Sequence, residues 1–203
     1  VIVNPAPICA PFLIDLTASA ITNSATLAGG TLTYYADVDA TLTLGTPESV
    51  NTGTYYIVAT NSAGCADTSK VNVIVNTKPV LAITDPSAVC EPNTLDITLS
   101  AITAGSTNEG TNTYFTDALA LTGFVNPTTV GNGTYYIVTT TADNCTDTAA
   151  VIVTVNAKPV LAITTPADVC SPGTVDITQV TVTVGSTDEG TNSYFTDALA
   201  TTS

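Results

Sequence analysis

The five cysteines are the side chains of this sequence with the clearest capacity for chemistry. Cys9 and Cys65 lie 56 positions apart, Cys90 and Cys145 lie 55 apart, and Cys170 follows. A separation that recurs in this way favours disulfides over free thiols, and disulfides are typical of secreted proteins. Zinc binding is disfavoured because the sequence contains no histidine and no Cys-x-x-Cys pair.

This spacing predicts two disulfides, Cys9–Cys65 and Cys90–Cys145, each within one structural unit. Cys170 matches Cys9 and Cys90 in its surroundings, so we expect its partner to lie beyond the end of the chain. Through loop-closure entropy, a bridge around a loop of this length contributes about 3–4 kcal/mol. Such a contribution matters for a domain with a small core.

Acidic residues are the other candidates for chemistry. Without histidine there is no Ser-His-Asp set, and no glycine-rich phosphate loop precedes a helix, so we expect no enzymatic activity. Two acidic clusters carry the oxygen ligands that calcium prefers, although neither has EF-hand spacing and polar turns are the alternative interpretation. We therefore expect no cofactor except calcium. The candidate ligands are Asp37, Asp39, Glu109, Asp188 and Glu189.

The charge of the chain restricts its partners. There are 17 acidic residues against three basic ones, which gives a net charge of −14. Phosphate backbones require lysine and arginine, so we expect no binding to nucleic acid. No apolar stretch is long enough for a membrane helix, so we expect no membrane insertion.

The sequence is built from repeats about 80 residues long. The segment KPVLAIT occurs at 78–84 and again at 158–164, and GTYYIV occurs at 53–58 and 133–138. Such periodicity is typical of repeat architectures. The predicted domains are the end of a preceding repeat (1–4), repeat 1 (5–77), repeat 2 (78–157) and a truncated repeat 3 (158–203). We expect both ends to be cuts through a longer array, with neighbouring repeats as partners.

Short strands separated by Gly, Pro, Asn and Asp are predicted within each repeat. Sparse helix formers and abundant Thr, Val, Ile and Tyr favour strands. Six or seven such strands in one repeat predict an all-β fold of tandem two-sheet sandwiches. In repeat 2 the predicted strands are residues 80–84, 95–102, 112–118, 133–140 and 149–155, with one or two more in 119–125.

The segment GTYYI at 53–57 and 133–137 resembles the penultimate strand of immunoglobulin-like domains, in which a tyrosine forms the tyrosine corner. The resemblance implies an immunoglobulin-like β-sandwich, although the chain lacks a core tryptophan. It also implies that the first tyrosine of each segment is structural and points inward, while the second points outward. The inward residues are Tyr55 and Tyr135, and the outward residues are Tyr56 and Tyr136.

The whole chain also resembles the repeats of very large surface proteins of gliding Bacteroidota. The residues that carry this resemblance are TYYIVATNSAGCADT at 54–68, the Val-Cys-x-Pro openings, and the repeat ends VIVN and VTVN. It implies type IX secretion and an extracellular, cell-surface location, as in gliding-motility adhesins. The segment Asp147-Thr148-Ala149 resembles a Bacteroidota O-glycosylation signal, which makes Thr148 a candidate glycosylation site.

The leading hypothesis is that the repeats form the stalk of a secreted surface filament or adhesin used in surface attachment or gliding. Three alternatives stay open. The repeats could bind polysaccharide or other cells, be the accessory tail of a secreted hydrolase, or assemble into extracellular filaments.

Overall fold

The computed structural model describes residues 2–22 and 29–200 of the chain. Within these ranges the elements are short strands and one helical turn. In chain order they are β1 (Ile8–Cys9), α1 (Ser19–Thr22), β2 (Thr31–Tyr35), β3 (Gly53–Thr60), β4 (Ala66–Val73), β5 (Val75–Asn76), β6 (Val89–Cys90), β7 (Thr111–Phe115), β8 (Gly133–Thr140), β9 (Thr146–Val153) and β10 (Val155–Asn156).

The first repeat contains a three-stranded antiparallel sheet with the order β2-β3-β4. In the central strand β3, Tyr56 lies opposite Tyr35 of β2 and Lys70 of β4. A separate pair forms where β1 runs parallel to β5, with Cys9 opposite Asn76. Threonine, valine and tyrosine dominate these strands because their side chains pack well on a pleated, half-buried surface.

The second repeat has the same arrangement 80 positions later. Its antiparallel sheet has the order β7-β8-β9, and β6 runs parallel to β10 with Cys90 opposite Asn156. The strand predicted at 133–140 is confirmed as β8. The repeat in sequence is therefore a repeat in strand pairing.

Alternate residues of the strands form the core of the first repeat. Ile57 of β3 and Val71 and Val73 of β4 are buried and cluster with Ile14 and Leu16. This alternation follows from the two-residue period of a strand. Full burial of an aliphatic side chain contributes about 1.5–3 kcal/mol relative to its exposure.

The counterparts of Leu16, Ile57, Val71 and Val73 in the second repeat are buried too, whereas two apolar positions of residues 158–200 that match buried ones are exposed. Leu161 is 60% exposed and Ile177 is 50% exposed, although their counterparts Leu81 and Ile97 are buried. No strand is assigned in residues 158–200. The chain does not contain a third copy of the β8–β9 hairpin, which in the second repeat carries the buried residues Ile137, Val151 and Val153.

The predicted strands at 80–84 and 95–102 are wrong in extent. These segments make isolated bridges, from Val80 to Thr107 and from Leu95 to Val130. The amide and the hydroxyl of Thr98 donate to Asp96 Oδ1 at 2.8 and 2.6 Å, so the chain turns within the segment that was expected to be a strand. Local bonds of this kind compete with strand pairing.

The chain forms two compact units whose boundaries cut across β8 and β9. The predicted limits of the repeats, 5–77, 78–157 and 158–203, therefore stay predictions. The first unit consists of Val1–Thr84, Ser100–Val125 and Tyr135–Val151, and the second of Asp85–Leu99, Asn126–Thr134 and Ile152–Ser203.

The predicted all-β class is confirmed, because the one helix of the described ranges, α1, has only four residues. In both complete repeats an antiparallel three-stranded sheet accompanies a first strand that runs parallel to the last strand. Strands of this order and length are those of immunoglobulin-like β-sandwich repeats.

Candidate functional site

A disulfide connects the first repeat to the second. It joins Cys9 to Cys145 across 136 positions of sequence, with the two Cα atoms 5.6 Å apart. Cys65, Cys90 and Cys170 are free and exposed. The predicted pairs Cys9–Cys65 and Cys90–Cys145 are therefore wrong, because the bond runs between consecutive repeats and not within one.

The positions of the cysteines on the strands explain this pairing. Cys65 ends the turn between β3 and β4, directly before Ala66. Cys9 lies opposite Asn76, at the far end of the chain segment that begins with β4. The ten residues that lead from Ala66 to Asn76 rise by about 3.3 Å each, so Cys65 and Cys9 lie roughly 30 Å apart. A disulfide requires Cα atoms within about 7 Å, so Cys9 and Cys65 cannot bond.

Asp147 of β9 holds the linker that enters the second repeat. Its Oδ1 atom lies 2.8 Å from Nζ of Lys78, and its Oδ2 atom accepts a hydrogen bond of 2.9 Å from the amide of Leu81. Burial alone raises the pKa of Asp147, but the hydrogen bonds from Lys78 and Leu81 and the charge of Lys78 outweigh it. The pKa of this carboxyl is therefore below its usual value.

A second contact fixes the same linker. The Nδ2 atom of Asn108 donates a hydrogen bond of 2.9 Å to the carbonyl oxygen of Thr77. All these residues belong to the first compact unit, in which covalent, ionic and hydrogen bonds converge on the entry to the second repeat. We call this group the junction site, and its members are Cys9, Thr77, Lys78, Asn108, Cys145 and Asp147.

The contacts of Tyr55 fit the structural role predicted for it, and the role predicted for Tyr135 stays a prediction. The hydroxyl of Tyr55 donates a hydrogen bond of 3.0 Å to the carbonyl oxygen of Asn51, four residues upstream, and its ring packs on the first core. A bond from a tyrosine hydroxyl to the upstream backbone defines a tyrosine corner. In the second repeat the ring of Tyr135 contacts that of Phe124, with centroids 5.0 Å apart.

The calcium candidates of the first cluster lie in a polar turn. Asp37 accepts hydrogen bonds from the hydroxyl and amide of Thr41 and from the amide of Leu42, at 2.6–3.1 Å. The hydroxyl of Thr41 and the amide of Leu42 hold the pKa of Asp37 below its usual value. Asp39 is exposed beside this turn.

The second cluster is also spread over loops. Glu109 accepts a hydrogen bond of 2.6 Å from Asn112, and Glu189 accepts one of 3.4 Å from Asn192. Asp188 is exposed, with a φ of 55°. Nowhere in residues 2–22 and 29–200 do three acidic or cysteine side chains come together as a metal site. Calcium binding by these residues stays a prediction.

The Asp37 turn recurs with an unusual backbone. Asp117 accepts hydrogen bonds from the amides of Leu121 and Thr122, which lower its pKa. Each of these turns then passes through an alanine with positive φ, at 52° for Ala40 and 55° for Ala120. This left-handed conformation is unfavourable for residues with a Cβ, so the aspartate bonds stabilise a strained turn.

Thr148 and the tyrosines expected to point outward differ in their exposure. Thr148 is exposed on β9, next to Asp147, so its hydroxyl is accessible to a glycosylating enzyme. Tyr56 and Tyr136 are half-buried. Glycosylation of Thr148 is untested and stays a prediction.

The sequence interpretation missed the role of Asp147, because it read this residue only as part of a glycosylation signal. Two repeated features could have revealed it. An aspartate follows Cys65 and Cys145 by two positions, at Asp67 and Asp147, and a Lys-Pro pair opens each later repeat, at Lys78 and Lys158. Opposite charges that recur with one period are candidates for a recurring ion pair.

Comparison with known proteins finds only distant similarities, to solved structures. No protein-family profile matches the chain, and no curated protein matches it. Among solved structures, Drosophila OTK extracellular domains 3–5 match 63% of this chain and 52% of their own, with 16% identity and a TM-score of 0.39. The chain thus spans about half the length of that relative.

Two further structures are similar at the same level. The insect immune protein hemolin matches 77% of this chain and 46% of its own, with 12% identity and a TM-score of 0.36. The titin domains I67–I69 match 66% and 58%, with 14% identity and a TM-score of 0.35. Within the described ranges, no helix has the length and apolar character needed to cross a membrane.

Proposed function

We propose that this chain is a structural segment of an extracellular filament or adhesin, in which the repeats are covalently cross-linked spacers. The observation that carries this proposal is the disulfide from Cys9 in the first repeat to Cys145 in the second. A bond between repeats adds nothing to a pocket or to a catalytic group. It resists the separation of neighbouring repeats, which is the demand placed on a stalk.

The mechanical effect of the bond follows from its span. It closes a loop of 136 positions. Unfolded chain extends by about 3.3–3.6 Å per residue. While the bond is intact, the loop between the two cysteines cannot be stretched, which prevents roughly 450 Å of extension. The contacts of Asp147 with Lys78 and Leu81 restrain the linker inside this loop.

The same bond supports the proposed extracellular location. Disulfides persist outside the reducing cytosol, so we place the protein outside the cell. A net charge of −14 keeps a crowded array of repeats soluble and free of nucleic acid. Type IX secretion and a role in gliding rest on the resemblance of the repeat motifs to those of Bacteroidota surface proteins.

Electron microscopy of the producing cells, with a gold-labelled antibody against this chain, tests the proposal. Gold along thin filaments that leave the envelope would support it. Gold confined to soluble particles in the medium would contradict it and favour the accessory tail of a secreted enzyme. A matched antibody raised against a cytosolic protein of the same cells controls for lysis.

One surface favours glycan binding as a second candidate function. Tyr35, Tyr56 and Lys70 lie side by side on one face of the first sheet, with Tyr56 between Tyr35 and Lys70. Aromatic rings with an apolar body and a polar tip suit a sugar surface. Binding of the intact chain to surface polysaccharide that Tyr56→Ala abolishes, without a change in melting temperature, would favour this function.

A further inference from the structure

The disulfide between Cys9 and Cys145 uses two different places in the repeat. Cys9 closes the parallel pair β1–β5, and we call this position the early cysteine; Cys90 and Cys170 are its counterparts. Cys145 ends the turn between β8 and β9, and we call this position the hairpin cysteine; Cys65 is its counterpart. The observed bond thus joins the early cysteine of one repeat to the hairpin cysteine of the next.

The backbone that presents the hairpin cysteine is the same in both repeats. The amide of Asn61 donates to the carbonyl oxygen of Cys65 at 2.9 Å, and the amide of Thr141 donates to that of Cys145 at 2.9 Å. The turn also binds each cysteine amide through a side-chain oxygen, that of Asn61 at 2.9 Å and that of Thr141 at 3.1 Å. Cys65 is therefore presented as Cys145 is.

The early cysteine has a recurring frame as well. The residue after Cys9, Ala10, donates its amide to Asn76 at 2.9 Å, and the residue after Cys90, Glu91, donates its amide to Asn156 at 3.0 Å. Both cysteines lie in parallel two-stranded pairs of the same register. The frame that places Cys9 for bonding is therefore already formed around Cys90.

Exposure distinguishes the bonded positions from their unbonded counterparts. Cys145 is fully buried and Cys9 is half-buried, whereas Cys65 and Cys90 are exposed. Within one repeat the early and hairpin cysteines lie at opposite ends of the strands, so Cys90 cannot reach the hairpin of its own repeat. The partner that fits Cys90 is the hairpin cysteine of a repeat that follows.

We infer that in an array of these repeats every early cysteine bonds the hairpin cysteine of the following repeat, so that the bonds overlap along the chain. Cys90 then takes the hairpin cysteine of the repeat that begins at residue 158, and Cys65 takes the early cysteine of a repeat before it. This inference concerns the connection between repeats and does not depend on where the protein is displayed.

The bond forms by two thiol–disulfide exchanges with a disulfide oxidant such as oxidised glutathione. The thiolate of one cysteine attacks the oxidant and releases one molecule of thiol, which leaves a mixed disulfide. The thiolate of the partner cysteine then attacks the protein sulfur of the mixed disulfide and releases the second thiol. Two protein thiols are oxidised, and the oxidant is reduced to two thiols.

The full chain extended by a second copy of residues 124–157 tests the inference, because this addition completes the third repeat. The extended chain is refolded with oxidised and reduced glutathione, alkylated, and digested with pepsin at low pH. Mass spectrometry then identifies the linked peptides. We expect Cys9 linked to Cys145 and Cys90 linked to the added hairpin cysteine, with Cys65 and Cys170 alkylated.

A link from Cys170 to the added cysteine would overturn the inference, as would an added cysteine that stays alkylated. Two variants of the extended chain guard against misfolding. Cys170→Ser is expected to leave the Cys90 link in place, whereas Cys90→Ser is expected to leave the added cysteine as a free thiol while Cys9 and Cys145 stay linked. In Cys90→Ser, the added cysteine could instead bond Cys170. If it did so in the yield with which it bonds in the unsubstituted extended chain, this result would also contradict the inference.

Discussion

The Nζ atom of Lys78 lies 2.8 Å from Oδ1 of Asp147, so a linker residue at the start of the second repeat is tied to a late strand of that repeat. The same carboxylate accepts the amide of Leu81. The linker is therefore positioned by a group far away in sequence.

Asp147→Ala is expected to destabilise the chain more than Lys78→Ala. Loss of a partly exposed ion pair costs about 0.5 kcal/mol, whereas removal of the carboxylate also leaves the Leu81 amide without its acceptor, for a total of about 1–2 kcal/mol. Urea unfolding followed by circular dichroism measures both. Asp67→Ala, at the exposed counterpart in the first repeat, is the matched control, and an equal loss there would contradict the assignment.

Stability is expected to be level between pH 6 and 8 and to fall below about pH 4. The sequence has no histidine to titrate in the higher range. Asp37, Asp117, Asp147 and Asp176 have pKa values below their usual value. A carboxyl with a lowered pKa stabilises the fold above its unfolded pKa, and this stabilisation is lost as the pH falls through its folded pKa.

Melting temperatures at a series of pH values measure this effect. Asp147→Asn is expected to start from a lower melting temperature and to lose less of it on acidification, because it lacks one of the titrating groups. An acid-induced loss as large as that of the wild type would show that Asp147 does not contribute.

Cys9→Ser and Cys145→Ser are each expected to lower stability by about 5 kcal/mol, because the bond restricts a long loop of the unfolded chain. Reduction of the wild type is expected to have the same effect. Cys65→Ser and Cys90→Ser are the controls, since both thiols are free and exposed. Scanning calorimetry with and without reductant provides the measurement, and a large loss in Cys65→Ser would restore the pairing within one repeat.

Gly110→Ala is expected to destabilise the second repeat by about 2 kcal/mol through overpacking. A Cβ at this position would overlap the carbonyl oxygen of Thr140 on the neighbouring strand. Gly190, its counterpart 80 positions later, has nothing within 4 Å of the same Cβ. Gly190→Ala should therefore be close to neutral by thermal unfolding. An equal loss of stability in both variants would show that the glycine conformation, and not the contact with Thr140, is the cause.

Ala120→Gly is expected to raise stability by about 0.5–1 kcal/mol, because glycine adopts a positive φ without the Cβ clash that alanine suffers. Ala120 has a φ of 55°. Ala118→Gly, two residues earlier and exposed, is the control, and it is expected to lower stability slightly through the added freedom of the unfolded chain. A melting temperature that rises in Ala120→Gly and falls in Ala118→Gly would confirm this prediction.

The parts of the fold that depend on neighbouring residues could be predicted from the sequence. The strand at 133–140 and the role of Tyr55 follow from local alternation and from one motif. The segment around Asp96 could not be predicted, since its carboxylate binds Thr98 and turns a chain whose apolar alternation is that of a strand.

The disulfide could not be predicted because a periodic sequence fixes spacing but not neighbours. Cys65 and Cys145 occur in equivalent places of their repeats. Pairing within a repeat and pairing to the next repeat are therefore both consistent with the period of the sequence. Only the parallel pairing of Cys9 with Asn76, at the far end of the strands from Cys65, decides between them.

The bond from Cys9 to Cys145 also changes the consequence of proteolysis. Every peptide bond between these residues, including those of the linker around Lys78, lies inside the loop that the disulfide closes. A protease that cuts once in this region produces two fragments that stay covalently attached, and the break is visible only after reduction. A single cut inside this loop therefore releases neither part of the chain.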